Sequence, residues 1–363
     1  MVSPYERIAE LAAEGRRLAL ATVVRTHGST PQVVGAKLIL SDVESERPFG
    51  TLGGGCVEAD AMLSARHVLA EGGRVLREYQ LTEDLAWNTG LVCGGTMWIL
   101  AEGLDEARRC GAEDVLTRAV SAARGGPPMA LVTRLIRDGQ KTSFGARVAV
   151  LADGRVLGTL GDAALDQLAK GLAVEQMRHG TARLVSAGEA QDLLIDPIAA
   201  RPRLVIAGGG HVAKALARQA RFVDFDVTVL EDRPEFANPE RFDGADVIGG
   251  DIVEAISAFD YGWSTYLVIA TRGHKLDAAC VEAAVATRAR YIGLLGSRRK
   301  TILINEMLRE GGVAEARIAA IHAPVGLDLG GRTPAEIALS VMAEIAQERY
   351  RGTGRPLRSL GGS

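Results

Sequence analysis

The run Gly208-Gly209-Gly210-His211-Val212-Ala213 constrains the fold of this chain more than any other segment. It lies between a strand-like stretch at 203–207 and a helical one at 212–222, and it fits G-x-G-x-x-A in the context that pattern requires. The first glycine makes a tight turn, the second lets backbone approach a pyrophosphate, and the small Ala213 lets helix and strand pack closely. A strand at 226–230 follows, with Glu231 and Asp232 at its end as the two candidates for a ribose hydroxyl. Further strands at 247–248, 266–270, 291–294 and 318–321 alternate with helices, the rhythm of a doubly wound parallel sheet. The loop leaves three uses open: a dinucleotide such as NAD(P), another phosphate-bearing ligand, or a structural turn.

A chain of 363 residues exceeds most single cores, so two domains are expected. Asp196-Pro197 and Arg201-Pro202 mark the boundary, giving domains at 1–197 and 203–350 and a disordered tail at 351–363. In the first, Ser3-Pro4-Tyr5-Glu6 has the form of a capping box and predicts a helix over 4–16. Strands are expected at 18–25, 36–41, 74–81, 96–101, 129–137, 146–151 and 156–160, with weak ones over 182–195. Helices are expected at 57–71, 105–123 and 163–179, and Thr333-Pro334-Ala335-Glu336 opens a last one to 350. The fold class is therefore α/β: a C-terminal Rossmann-like doubly wound sheet with an N-terminal α+β domain whose sheet is mixed or antiparallel. No fixed-period repeat or low-complexity tract stands out.

A net charge of −3 and 4% aromatic residues argue against a dedicated nucleic-acid binder. Cysteines 56, 93, 110 and 280 include no C-x-x-C pair, which fits a reducing cytoplasm better than a disulfide framework. Glu6, Glu10 and Glu14 precede the first short apolar run, the wrong order for a signal peptide, and no run of 18 apolar residues suggests a membrane span. The expected location is the cytoplasm. His27, His67, His179 and His322 share no spacing, so no metal site is expected.

Thr51-Leu52-Gly53-Gly54-Gly55-Cys56-Val57-Glu58 carries the most chemistry in the first domain. Gly53, Gly54 and Gly55 offer bare backbone N–H groups to an anion, and the helix behind them places partial positive charge beside the Cys56 thiol. Glu58 orients that loop or simply complements the helix terminus. Cys93 with Gly94 and Gly95 is a second glycine-flanked thiol, although most unpaired cysteines are small buried hydrophobes, as Cys110 and Cys280 are expected to be. In the second domain Arg272, His274 and Asp277 follow the fourth strand within one turn, and Gly296 and Ser297 lead the cations Arg298, Arg299 and Lys300 after the fifth. The first set offers a cation, an imidazole and a carboxylate, or His274 and Asp277 simply cap a helix; the second offers a phosphate turn, or its basic run is a solvated face. His274 with Asp277 is the one pair apt for acid–base work in an NAD(P)-dependent oxidoreductase.

The chain resembles the XdhC/CoxI family, accessory proteins of xanthine dehydrogenase and related molybdenum hydroxylases. The likeness rests on Gly28-Ser29-Thr30-Pro31 with Gly35-Ala36, on Gly53 to Glu58, and on Cys93-Gly94-Gly95. It continues through Gly208 to Ala213, Asp232-Arg233-Pro234, Thr271-Arg272-Gly273-His274 with Asp277, and Gly293-Leu294-Leu295-Gly296-Ser297. Pro324-Val325-Gly326-Leu327-Asp328, Thr333-Pro334 and Glu336 complete it. Sites commonly form in the cleft between two halves of a chain, and the ligand is expected there; the resemblance implies a chaperone that binds the molybdenum cofactor, as molybdopterin or its dinucleotide form. It further implies protection of that cofactor while a cysteine desulfurase supplies its terminal sulfur, and delivery to an apo molybdenum hydroxylase. Cys56 and Cys93 are then the thiols for molybdenum or sulfur. The apolar stripe at 335–345 serves either a homodimer or the sheet beneath it.

Overall fold

The computed structural model describes residues 3–43, 45–81, 95–139 and 141–359. The chain divides into two compact units, Met1–Ala200 and Arg201–Ser363.

In the first unit, α1 (Pro4–Ala13) starts on the expected capping box, with Ser3 and Glu6 bonded reciprocally. Then come β1 (Leu18–His27), β2 (Lys37–Ser41), β3 (Phe49–Gly50), α2 (Gly55–Glu71), β4 (Arg74–Gln80) and β5 (Thr96–Gly103). The strands form an antiparallel sheet in the order β3-β2-β1-β5-β4. The helix expected over 105–123 is instead broken into α3 (Leu104–Ala107), a hairpin of β6 (Arg109–Cys110) and β7 (Glu113–Asp114), and α4 (Leu116–Ala123). The break falls at Gly111, whose φ of +63° no helix accepts and few side chains tolerate.

A second sheet follows: β8 (Met129–Asp138), β9 (Lys141–Leu151), β10 (Val156–Leu157), α5 (Ala163–His179), β11 (Arg183–Ser186) and β12 (Gln191–Ile198), in the order β10-β9-β8-β12-β11. Element for element this repeats the first. Both helices have 17 residues and both stop at glycine, Gly72 and Gly180. Gly50-Thr51-Leu52-Gly53 recurs as Gly158-Thr159-Leu160-Gly161. The unit is thus an internal duplication, contrary to the expectation of no repeat. Outside that tetrapeptide the two halves share pattern rather than letters, which is why the sequence hid it.

The two sheets pack face to face through Val24, Trp98 and Leu100 against Leu135 and Leu194, while α2 and α5 cover their other faces. Between the sheets lie charges at equivalent positions. Thr22 pairs with Lys37 in the first register and Thr133 with Arg147 in the second; Leu20 faces Glu102 and Leu131 faces Asp196. Lys37 Nζ reaches Asp196 Oδ2 at 2.6 Å, and the Arg147 guanidinium donates to Glu102 Oε1 at 2.6 Å and Oε2 at 3.2 Å. Each half gives its cation to the other half's carboxylate, the reciprocity found across a homodimer's two-fold axis.

The second unit holds β13 (Arg203–Ala207), α6 (His211–Phe222), β14 (Asp226–Glu231), β15 (Asp246–Gly249), α7 (Ile252–Ala258) and β16 (Thr265–Ile269). It continues with α8 (His274–Ala286), β17 (Tyr291–Leu294), α9 (Arg298–Glu310), α10 (Glu315–Ala319), β18 (Ile321–His322) and α11 (Pro334–Tyr350). Its six strands are all parallel, ordered β15-β14-β13-β16-β17-β18. That is the doubly wound Rossmann order. Ile318, expected in a strand, belongs to α10 and is buried against the sheet. The stripe Ala338, Val341, Met342 and Ile345 of α11 packs on Leu204, Ile206 and Val268, so it covers the sheet. Among the described residues no helix is long and apolar enough to cross a membrane.

Candidate functional site

In the first unit β1 ends, β3 ends and β5 begins at one end of the first sheet, because His27 pairs with Thr96 and Gly50 with Leu38. The glycine turn lies there. Gly53, Gly54 and Gly55 all have positive φ (+105°, +74° and +66°), which a run of side-chain-bearing residues would not adopt. A Cβ on Gly53 would lie 2.8 Å from Pro31, and one on Gly95 would lie 2.6 Å from the carbonyl oxygen of His27. The 28–32 segment, the turn at Gly53 and Gly95 therefore come together. Cys93 and Gly94 lie outside the described residues.

Glu58 holds this loop from within. Its Oε2 accepts from Thr51 Oγ1 (2.7 Å), Leu52 N (2.6 Å) and Gly54 N (3.1 Å). Partial burial works to raise this carboxyl, but these three bonds prevail and hold it below the usual range. Glu58 is a positioning residue, and Thr51, which also accepts from Gly53 N at 3.0 Å, is a partner the motif reading missed. The recurrence of Thr-Leu-Gly with an acid five residues after the glycine was the available signal. Helix α2 starts at Gly55 with Gly54 as its N-cap and no side chain capping it; Cys56 is exposed in its first turn. Uncapped first-turn amides and the helix dipole together favour an anion beside that thiol. Cys110 and Cys280, by contrast, are buried and pushed up to about 12 by that burial, so neither is a reactive thiol.

In the second unit Gly208 turns the chain at φ +108° where a Cβ would strike Ala270 O at 2.5 Å. Gly209 N donates to Glu231 Oε2 at 2.5 Å. Arg233 supplies the other bonds to that carboxylate: N and Nε to Oε1 at 3.0 and 2.9 Å, and its terminal nitrogen to Oε2 at 2.9 Å. Four donors saturate the roughly four lone-pair sites of a carboxylate. Burial works to raise Glu231, yet the Arg233 and Gly209 bonds prevail and hold it at about 2. It therefore has no acceptor left for a ribose hydroxyl. Asp232, raised chiefly by its bond with Glu231, pairs with Arg272 at 3.0 Å and remains the one acid there that a diol could reach. Gly210 caps α6 without a side chain and leaves His211 exposed at its start.

The expected acid–base pair does not form. His274 is exposed at the first position of α8, whereas Asp277 is wholly buried, accepts from Thr271 Oγ1 at 2.6 Å and forms an ion pair with Lys300. Lys300 also donates to Leu295 O at 3.1 Å, so it serves the fold rather than a phosphate. Gly296 is small because a Cβ would lie 2.8 Å from Lys300 Cδ, and Ser297 caps α9 by accepting from Lys300 N. Arg298 and Arg299 are exposed. Among the described residues no three His, Cys, Asp or Glu side chains gather to hold a metal ion.

Comparison with known proteins gives two matching families: the XdhC and CoxI family over residues 11–80 and the XdhC Rossmann domain over 204–345. The chain is 27% identical to a probable xanthine dehydrogenase component of Bacillus subtilis (strain 168), covering 92% of this chain and 93% of that one. It is 24% identical to the molybdenum cofactor insertion chaperone PaoD of Escherichia coli (strain K12), covering 94% and 86%. Similarity to the uncharacterized protein YqeB of the same E. coli strain reaches 31% over 66% of this chain, which spans about half (47%) of YqeB's length. A crystal structure of a xanthine dehydrogenase from Bacillus halodurans shares the fold, with TM-score 0.56, 23% identity and 99% of both chains covered.

Proposed function

The chain belongs to the XdhC and CoxI family, and from that premise we propose that it binds the molybdenum cofactor and delivers it to an apo molybdenum hydroxylase. In the same proposal it shields the cofactor while a cysteine desulfurase supplies the terminal sulfur, and it works as a maturation chaperone rather than a metabolic enzyme. The observation that carries this reading is the α2 terminus: uncapped amides beside an exposed Cys56, on a loop locked by Glu58. The cofactor itself brings an anionic metal–dithiolene centre and a terminal phosphate or dinucleotide. Amides at a helix start suit such anions. Cys56 holds a sulfur or molybdenum ligand position, and Cys93 with Gly94 and Gly95 joins it on the strength of its motif. The names of PaoD and the B. subtilis relative support the cofactor and the kind of partner.

Gly208, Gly210 and His211 offer a dinucleotide form of the cofactor the same kind of helix start, with Asp232 and Arg272 at its rim. A nicotinamide oxidoreductase has less support, because Glu231 is saturated by Arg233 and Gly209 and Asp277 is committed to Lys300 and Thr271.

The test is molybdenum and pterin content after anaerobic incubation with the cofactor and removal of unbound material. Near-stoichiometric retention is expected in the native protein, and Cys56→Ser is expected to retain about tenfold less, the effect of losing one interaction of about 1.4 kcal/mol. Absence of both molybdenum and pterin from the native protein would sink the proposal.

A further inference from the structure

Helix α9 carries two apolar stripes, and the second unit uses only one of them. Thr301, Ile304 and Leu308 are buried, the last two in one apolar cluster with Cys280 and Val281 of α8 and Leu294 of β17. A surface helix normally turns such a stripe to the core and its charges to water. On the other side of α9, Arg299, Ile302, Leu303, Glu306, Met307 and Glu310 follow the i, i+3, i+4, i+7, i+8, i+11 spacing of a single face, and all six are exposed. Ile302, Leu303 and Met307 keep 61%, 41% and 38% of their surface in water, and among the described residues no other helix exposes more than two large apolar side chains. An apolar patch rimmed by charge marks an interaction site. The charges at its two ends are available: Lys300 and Arg309 are committed to Asp277 and Glu315, whereas among the described residues Arg299 and Glu310 have no ion-pair partner.

We infer that this face pairs with itself: a second copy of the chain lays its own α9 antiparallel on the first, about a two-fold axis that crosses the helix between Leu303 and Glu306. The order of the stripe selects that partner. Reversed end for end, the face is complementary to itself, so that Arg299 meets Glu310 of the second copy, Ile302 meets Met307, and Leu303 lies against the methylenes of Glu306. The axis makes each of these contacts twice, as an isologous interface requires. An unrelated partner would need an apolar stripe there, but not one whose charges change sign on reversal. The other stripe considered for self-association, at 335–345, is spent on the sheet. One helix of 13 residues from each copy makes an interface at the small end of the size range, so the dimer is weak and reversible.

The pairing goes beyond the cofactor reading and does not rest on it. Sedimentation velocity of the full-length protein, from low to high micromolar concentration, is expected to show a dimer that grows with concentration. Arg299→Glu and Glu310→Arg are each expected to weaken it by at least about tenfold, because each variant sets like charges against one another at both ends of the interface. Mixing the two variants is expected to restore association, since the heterodimer again opposes Glu to Arg at both ends. Ile302→Asp, which places a charge in the apolar centre, is expected to leave only monomer. All three positions are exposed, so the variants are expected to melt with the native protein. A native protein that stays monomeric at the highest concentration overturns the inference, even if another protein binds the face. So does a dimer that either charge reversal or Ile302→Asp leaves intact. A mixture of the two reversals that stays monomeric while the native protein pairs overturns it as well.

Discussion

Glu102→Ala is expected to destabilise the first unit by about 3–5 kcal/mol, the cost of stranding a buried charge, and to lower its melting temperature by roughly 6–20 °C for a unit of this size. The reason is what remains. Arg147, 9% exposed, would keep only Thr133 Oγ1 (3.0 Å) and Ala107 O (3.3 Å), two neutral acceptors, for a charge it cannot shed. The double variant Glu102→Leu/Arg147→Met is expected to recover most of that loss, since two apolar side chains in place of a buried ion pair are often neutral or better. Calorimetry of both variants gives the answer: equal losses in the single and double variants would show that the charge pair is not what joins the sheets. Lys37 and Asp196 form the equivalent bond with 7% and 15% exposure, and truncating Asp196 is expected to cost less because a stranded lysine can shed its proton, which Arg147 cannot.

The second large effect depends on pH. Glu231 is held at about 2, below its ordinary value of 4.5, so its bonds to Arg233 and Gly209 stabilise the fold above pH 4.5 and are lost as pH falls toward 2. A shift of that size is worth about 3 kcal/mol at neutral pH, and Asp232, raised beside it, offsets part of this. Glu231→Gln is therefore expected to cost about 2–3 kcal/mol at pH 7 and almost nothing at pH 2. Its amide nitrogen would have to face either the Gly209 N–H or the Arg233 guanidinium, donor against donor. Melting curves of the native and variant proteins from pH 2 to 7 test this. Curves that stay parallel across the whole range would mean that the carboxylate contributes nothing through its charge.

Much of the architecture was legible because it follows from local rules. Strand, glycine turn and helix at 203–222 announce a parallel sheet, since only glycine passes Ala270 at Gly208 and only a small Ala213 lets α6 approach. Both capping boxes start their helices as expected, because a cap is satisfied within four residues. The helix over 105–123 failed for the complementary reason: its apolar residues fit a helical period, but Gly111 turns the chain and sends Cys110 into a buried hairpin strand.

Partnerships were the illegible part. Asp277 and Lys300, read as a general acid–base residue and a phosphate cation, neutralise each other; Glu231, read as a ribose acceptor, is filled by its near neighbour Arg233. Sequence spacing says that such groups are near a turn, and not which donor each will meet once both are withdrawn from water.

By itself the sequence determined the class of each segment and the positions where only glycine fits, because propensity, capping and sterics act over a few residues. The tertiary structure alone decided that Lys37 meets Asp196 across 159 residues, that the first unit is one module written twice, and that Asp162 caps α5 whereas no side chain caps α2, whose loop Glu58 holds instead. Charges and hydrogen-bond donors find partners through space, and folding sets those distances.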